Sequence, residues 1–162
     1  QRALQLQAPE AAVQVLMGAA RAMAGRDAEA IAAWEAAKQA GFPRAVIDRL
    51  VAEAYLRQKD FIRAAAAIGD RPPDAASSAT FAATRIGTRR PADALPVLDA
   101  LLAERPDDDQ ARWLLLHALY AQFVGGDPSG VARLRAEAQR YIDTKGRHAP
   151  LAAEWLKVVT SS

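Results

Sequence analysis

Two histidines, an acidic triplet, a pair of adjacent arginines and a Gly-Gly turn are the groups with which this chain could do chemistry. Zinc takes three or four ligands, some closely spaced, so His117 and His148 in a chain without cysteine predict no metal site. His117 falls within a helical stretch and is expected as a partly buried helix residue. Asp107-Asp108-Asp109 could attract a cation. Carboxylates just ahead of a helix are also favoured by its positive N-terminal end, so capping is the expected role. Arg89-Arg90 sits where a helix should end, a place that favours positive charge without any ligand; contact with an acidic partner is the rival reading. Gly125-Gly126-Asp127-Pro128 lacks the Lys and Ser/Thr of a phosphate loop and reads as a turn. Trp34, Trp113 and Trp155 each lie on a face expected to be buried. No nucleophile, base and orienting group converge, so the chain is read as non-enzymatic, with no cofactor and no metal.

The elements that hold these groups follow from composition and periodicity. A chain of 162 residues is long enough for one folded unit with a real core. Ala is over-used while Val, Ile and Thr never gather into runs, and that mix favours helix, because Ala gives up no side-chain entropy there. A net charge of +2 argues against a dedicated nucleic-acid binder, which concentrates Lys and Arg in a stripe. The longest uncharged run, Trp113 to Gly126, falls short of the roughly 20 apolar residues that a membrane-spanning helix needs. A soluble chain is expected, in the cytoplasm or in a periplasmic or extracellular compartment, since a cysteine-free chain suits any of them. It begins at Gln1 with neither Met nor signal peptide and is expected to be part of something longer.

Residues 1–9 read as a lead-in, with Pro9-Glu10 opening the first helix, which runs to about Ala24. Gly25-Arg26-Asp27 is the turn, Asp27 the expected N-cap of a helix ending near Ala40, and Gly41-Phe42-Pro43 the close. A third helix, about Arg44 to Gln58, carries Val46, Ile47, Leu50, Val51, Ala54 and Tyr55 at helical spacing. A short fourth, Phe61 to Ile68, is cut off before Pro72-Pro73. Further helices are expected over about 75–88, 91–104, 110–124 and from Pro128 to about Lys145, where Gly146 fits the C′ position. A last helix, Pro150 to Val159, presents Leu151, Trp155, Leu156 and Val159 to one side as a cap.

Small residues pair across these helices as Gly18/Ala30, Ala52/Ala64, Ala82/Ala94 and His117/Ala132, the first three at one spacing of 12. Trp34, Ile68, Leu98 and Ala136 follow one turn past the second members. Pro43 and Pro106 close two of the units. This pattern resembles the tetratricopeptide repeat, with a period of about 34 residues built from W-x₂-L-G-x₂-Y, a small residue, an aromatic and a closing proline. The match covers roughly Ala11 to Tyr141. Unit two is about one turn short. Unit four departs further, with His117 at a small-residue position and a turn three residues longer.

The resemblance implies an all-α fold, a right-handed α-solenoid of about four helical hairpins (about 11–44, 45–74, 75–109 and 110–145) with 147–162 as capping helix and tail. It also implies a concave face lined by the first helix of each pair. The family's groove positions carry over to Val15 and Ala19 in unit one, Arg49, Glu53 and Arg57 in unit two, Thr80 and Ala83 in unit three, and Leu114, Ala118 and Gln122 in unit four. Members that clamp a peptide carboxylate need clustered Lys, Arg and Asn; only Arg49 and Arg57 qualify here. The implied function is a scaffold that holds an apolar or helical segment of a protein or peptide partner on that face. The alternative is an accessory domain of a larger bacterial protein, its groove filled from within. The Pro150-Leu151-Ala152-Ala153-Glu154-Trp155-Leu156 ending is similar to tails of bacterial proteins that carry a von Willebrand A-type domain.

Overall fold

Ala-rich stretches broken by Gly, Pro and Asp become helices separated by tight turns. The computed structural model describes residues 2–161 apart from 71 and 73, and the side chains from Pro9 onward. The described residues are all-helical: α1 Arg2–Met23, α2 Asp27–Gln39, α3 Arg44–Arg57, α4 Phe61–Ile68, α5 Ser78–Gly87, α6 Pro91–Glu104, α7 Asp109–Val124, α8 Val131–Asp143 and α9 Ala149–Thr160. Helices pack against sequence neighbours, α1 on α2, α2 on α3, α3 on α4, α6 on α7, α7 on α8 and α8 on α9. The chain divides into two compact units, one up to Thr80 and one from Phe81 onward, where the sequence predicts one.

The segment read as a lead-in is helical from Arg2 and continuous with α1, with Pro9 inside it. Proline there lacks the N–H that would bond four residues back and its ring crowds that carbonyl, yet the helix runs on through it. In the first unit Ala30, Trp34 and Ala37 of α2 form one core with Ile47, Val51 and Ala54 of α3. Trp34 also closes the α1–α2 hairpin. A Cβ built on Gly18 would fall 2.3 Å from its indole nitrogen, which donates to the Val15 carbonyl at 3.2 Å. The small residue and the wedge read from the sequence are therefore in contact. Helix α4 stops at eight residues, as its early break predicts. The break itself, 69–73, lies partly outside the described residues.

Several termini are made differently from the sequence expectation. Asp27 is the first residue of α2, not its cap; its carboxylate accepts from Arg57 Nη2 at 2.5 Å, a charged partner that outcompetes the local backbone N–H groups. Asp60, Asp74 and Asp108 do cap, accepting from the N–H of Arg63, Ser77 and Ala111. Gly146 is not the C′ residue of α8. Lys145 takes that place at φ 54, and its N–H and that of Gly146 reach back to the carbonyls of Ile142 and Tyr141. Lys59 and Arg89 do the same after α3 and α5, at φ 59 and 60. A left-handed conformation costs a side-chain-bearing residue about 1–2 kcal/mol, partly offset by the extra freedom glycine has when unfolded. Replacing Lys145 by Gly is thus expected to raise stability by about 0.5–1 kcal/mol in chemical denaturation. An unchanged midpoint would show that the lysine chain contributes contacts of its own.

Candidate interaction surface

Helix α7 repeats the burial pattern of the earlier first helices one residue away from where the small-residue alignment put it. Buried Val51, Ala52 and Ala54 in α3, and Phe81, Ala82 and Thr84 in α5, match Leu115, Leu116 and Ala118 in α7. Leu116, 34 residues after Ala82, takes the small-residue place. His117 is exposed, and so is Ala132; in α8 the buried row is Leu134, Ala138 and Tyr141, spaced as Ala30, Trp34 and Ala37 are in α2. The turn is accordingly longer than expected, because a 3-10 turn at Pro128–Gly130 follows Gly125-Gly126 before α8 begins.

The corrected register puts Trp113 and His117 on the face that Arg49 and Glu53 occupy in α3. There they meet α9. Tyr120 stacks on Trp155 at 4.3 Å between ring centroids and 4° between planes, and Trp155 stacks on Trp113 at 4.9 Å and 15°. His148 continues the column at 4.5 Å from Trp113. His117 flanks it, 5.5 Å from Trp155 and 6.1 Å from Trp113, and the buried Tyr141 ring backs Trp113 at 5.8 Å. Offset and tilted aromatic pairs of this kind contribute about 0.5–1.5 kcal/mol each beyond their buried area. Trp113 and Trp155 are nevertheless only half-buried, so the two are not the core residues their helical phase predicts.

The column separates two openings. On the Tyr120 side lies a cleft of about 680 Å³, with Ile86, Pro91, Ala92, Ala121 and Val124 as apolar walls. Its polar edge is made by Arg89, His117, Gln122 and Asp127. On the His148 side a smaller hollow of about 340 Å³ is bounded by Asp109, Gln110, Trp113 and Arg147. Apolar walls with a few convergent polar groups suit a side-chain-sized apolar ligand or a short run of peptide. Comparison with protein-family models, curated proteins and solved structures finds no match. The geometry therefore carries the functional reading on its own. No helix among the described residues is long and apolar enough to cross a membrane.

The sequence-derived groove residues fall into several environments. In the first unit Arg49 Nη1 meets Glu53 Oε1 at 2.8 Å, and the buried Thr80 hydroxyl donates to the same oxygen at 3.2 Å, so these three come together. Arg57 leaves them to pair with Asp27 on α2, and Val15 packs at the edge of the core, while Ala19 is half-buried. In the second unit Ala83 and Gln122 are half-buried and Gln122 lines the larger cleft. Ala118 is buried, and Leu114, nearly so, borders the smaller hollow. The residues missed are Trp113, His117, Tyr120, His148 and Trp155. The 34-residue step from Ala82 to Leu116 is the signal that finds the first three.

Although His117 keeps an exposed side, its imidazole is partly desolvated where it lies beside Trp113 and Trp155, and this pushes its pKa below the ordinary 6.5. A histidine that is harder to protonate when folded leaves the unfolded chain binding more protons in acid. Its contribution is fully present above pH 6.5 and is lost as pH falls through the lowered folded value. Thermal midpoints are expected to drop across that window, and His117→Gln to flatten the drop. Parallel profiles for the two proteins would remove His117 as its source.

Proposed function

We propose that the chain is a tetratricopeptide-like array of an α-solenoid and works as a non-enzymatic protein-interaction module, taking an apolar or helical segment of a partner against α7. The observation that carries this reading is the partly buried aromatic column, whose Tyr120 end lines the 680 Å³ cleft beside His117. Aromatic residues presented at a surface with polar groups at the rim supply most of the free energy of protein interfaces, through large area at low entropic cost. The walls at Ile86, Pro91 and Val124 offer apolar contact, and Gln122 and Arg89 sit where they can hydrogen-bond a backbone. The repeat assignment draws support from the recurring buried rows, Ala30, Trp34 and Ala37 in α2 and Ala94, Leu98 and Leu101 in α6.

A displayed-peptide selection on the wild-type chain tests the reading. Ala92→Glu is the discriminating variant. Ala92 is exposed on the first turn of α6, where a carboxylate favours the helix, so the fold is spared while a charge enters the cleft. Selected peptides should be rich in apolar residues and bind Ala92→Glu at least about tenfold more weakly, a loss of about 1.4 kcal/mol. Equal binding to both proteins would remove the cleft as the site.

A further inference from the structure

Helix α1, in the first compact unit, carries a second apolar surface. Val13, Leu16, Met17, Ala20 and Met23 recur at the i, i+3, i+4, i+7 spacing of one helix face. All are exposed, Val13 at 52%, Leu16 at 69% and Met23 at 90%. The equivalents of the first four are covered in the later first helices. A step of 34 carries Val13, Leu16, Met17 and Ala20 onto Ile47, Leu50, Val51 and Ala54 of α3, which pack against Ala30, Trp34 and Ala37 of α2, and carries Met23 onto the exposed Arg57. The same places in the third unit are Ser77, Thr80, Phe81 and Thr84, all buried. In α7 they are Ala111, Leu114, Leu115 and Ala118, also buried, with α6 packed along that helix. Among the described residues this four-residue stripe therefore occurs four times, and on α1 it faces solvent.

We infer that the α1 stripe is a docking site for an amphipathic helix of another polypeptide, whose apolar face is small–large–small in the manner of Ala30, Trp34 and Ala37. The stripe continues an interface the chain already builds, the α2–α3 contact, one hairpin earlier. A helix of the α2 kind is its fitting occupant because small residues at both ends allow close approach while the large one fills the space beside the residue at position 16. The chain's own Trp34 is committed to Gly18 and Val15, so α2 itself is not that occupant.

The probe is a synthetic peptide spanning Asp27–Pro43, labelled for fluorescence anisotropy. A side-chain cross-link between positions 32 and 36, both on the solvent face of α2, holds it helical, since an isolated helix of this length is marginal in water. It should bind the wild-type chain saturably, lose about tenfold or more in affinity when its tryptophan is replaced by alanine, and fail to bind a Leu16→Glu chain. Leu16 is exposed, so that variant should melt as wild type does. The Ala92→Glu chain should bind the peptide unchanged, which separates this site from the cleft. Absent binding to wild type, or equal binding to Leu16→Glu, overturns the assignment. A concentration-dependent dimer that Leu16→Glu dissolves, in a chain that ignores the peptide, overturns the occupant and gives the stripe to a second copy.

Discussion

Replacing Trp34 by Ala is expected to lower stability by about 3–5 kcal/mol, the largest effect of any single change in the first unit. The residue is 2% exposed and takes part in both helix contacts of α2, against Gly18 on one side and within the core shared with Ile47, Val51 and Ala54 on the other. Truncation leaves a cavity between three helices, and it strips the Val15 carbonyl of its indole donor. Gly18→Leu should destabilise from the opposite direction, since even its Cβ would press on the indole at 2.3 Å. The double variant discriminates. If the two residues share one space, Leu at 18 fills part of the hole at 34, and the combined loss in urea denaturation falls below the sum of the single losses by about 1 kcal/mol or more. Strict additivity would mean that the α1–α2 hairpin closes without this contact.

That contact was legible because it needs only a small residue and a large one at fixed spacing. Gly18, Ala30 and Trp34 sit on helices with one apolar face, so periodicity gives both the element and its phase. Helix α7 denies the second of these. From Trp113 to Leu119 it is apolar nearly all round, and Leu114, Leu115, Leu116, Ala118 and Leu119 are all buried. A helix covered on several sides has no stripe to fix its rotation, so His117 and Leu116 competed for one place in the alignment. The consequence reached the site directly. One residue of shift turned Ala118 inward, left Leu114 at the border of the smaller hollow, and brought Trp113 and His117 outward, to where Trp155 meets them. The partner choices of charged side chains were equally hidden: nothing near Asp27 in sequence announces that Arg57, thirty residues later, will hold its carboxylate instead of the α2 N-terminus. Chain ends followed the same logic. Lys145 and Arg89 accept the left-handed conformation that composition assigns to glycine, because the two hydrogen bonds closing each helix end require it at that position.

Gly146 shows what its glycine is for once Lys145 has taken the left-handed place. Its φ is not positive, so a side chain there meets no backbone objection. The objection is the Tyr141 ring. A Cβ on residue 146 would lie 2.3 Å from the ring carbon that bears the hydroxyl and 2.5 and 2.6 Å from its neighbours. Tyr141 has no exposed surface, its oxygen accepts from the His148 N–H at 3.3 Å, and its ring backs Trp113. It has nowhere to go without moving the turn or the column. Gly146→Ala is therefore expected to cost about 1–3 kcal/mol, against a few tenths for Gly130→Ala, whose Cβ would meet the side-chain tips of Leu119 at 3.3 Å and Gln122 at 3.7 Å. The loss should come with altered tryptophan fluorescence and near-ultraviolet dichroism, because the ring that yields supports the Trp113–Trp155 stack. In a Tyr141→Leu background the same alanine should be nearly neutral, since the clashing ring atoms are gone. A Gly146→Ala protein as stable as wild type, with its tryptophan spectrum intact, would show that the turn can shift by itself and that Tyr141 does not fix the aromatic column to the α8–α9 turn.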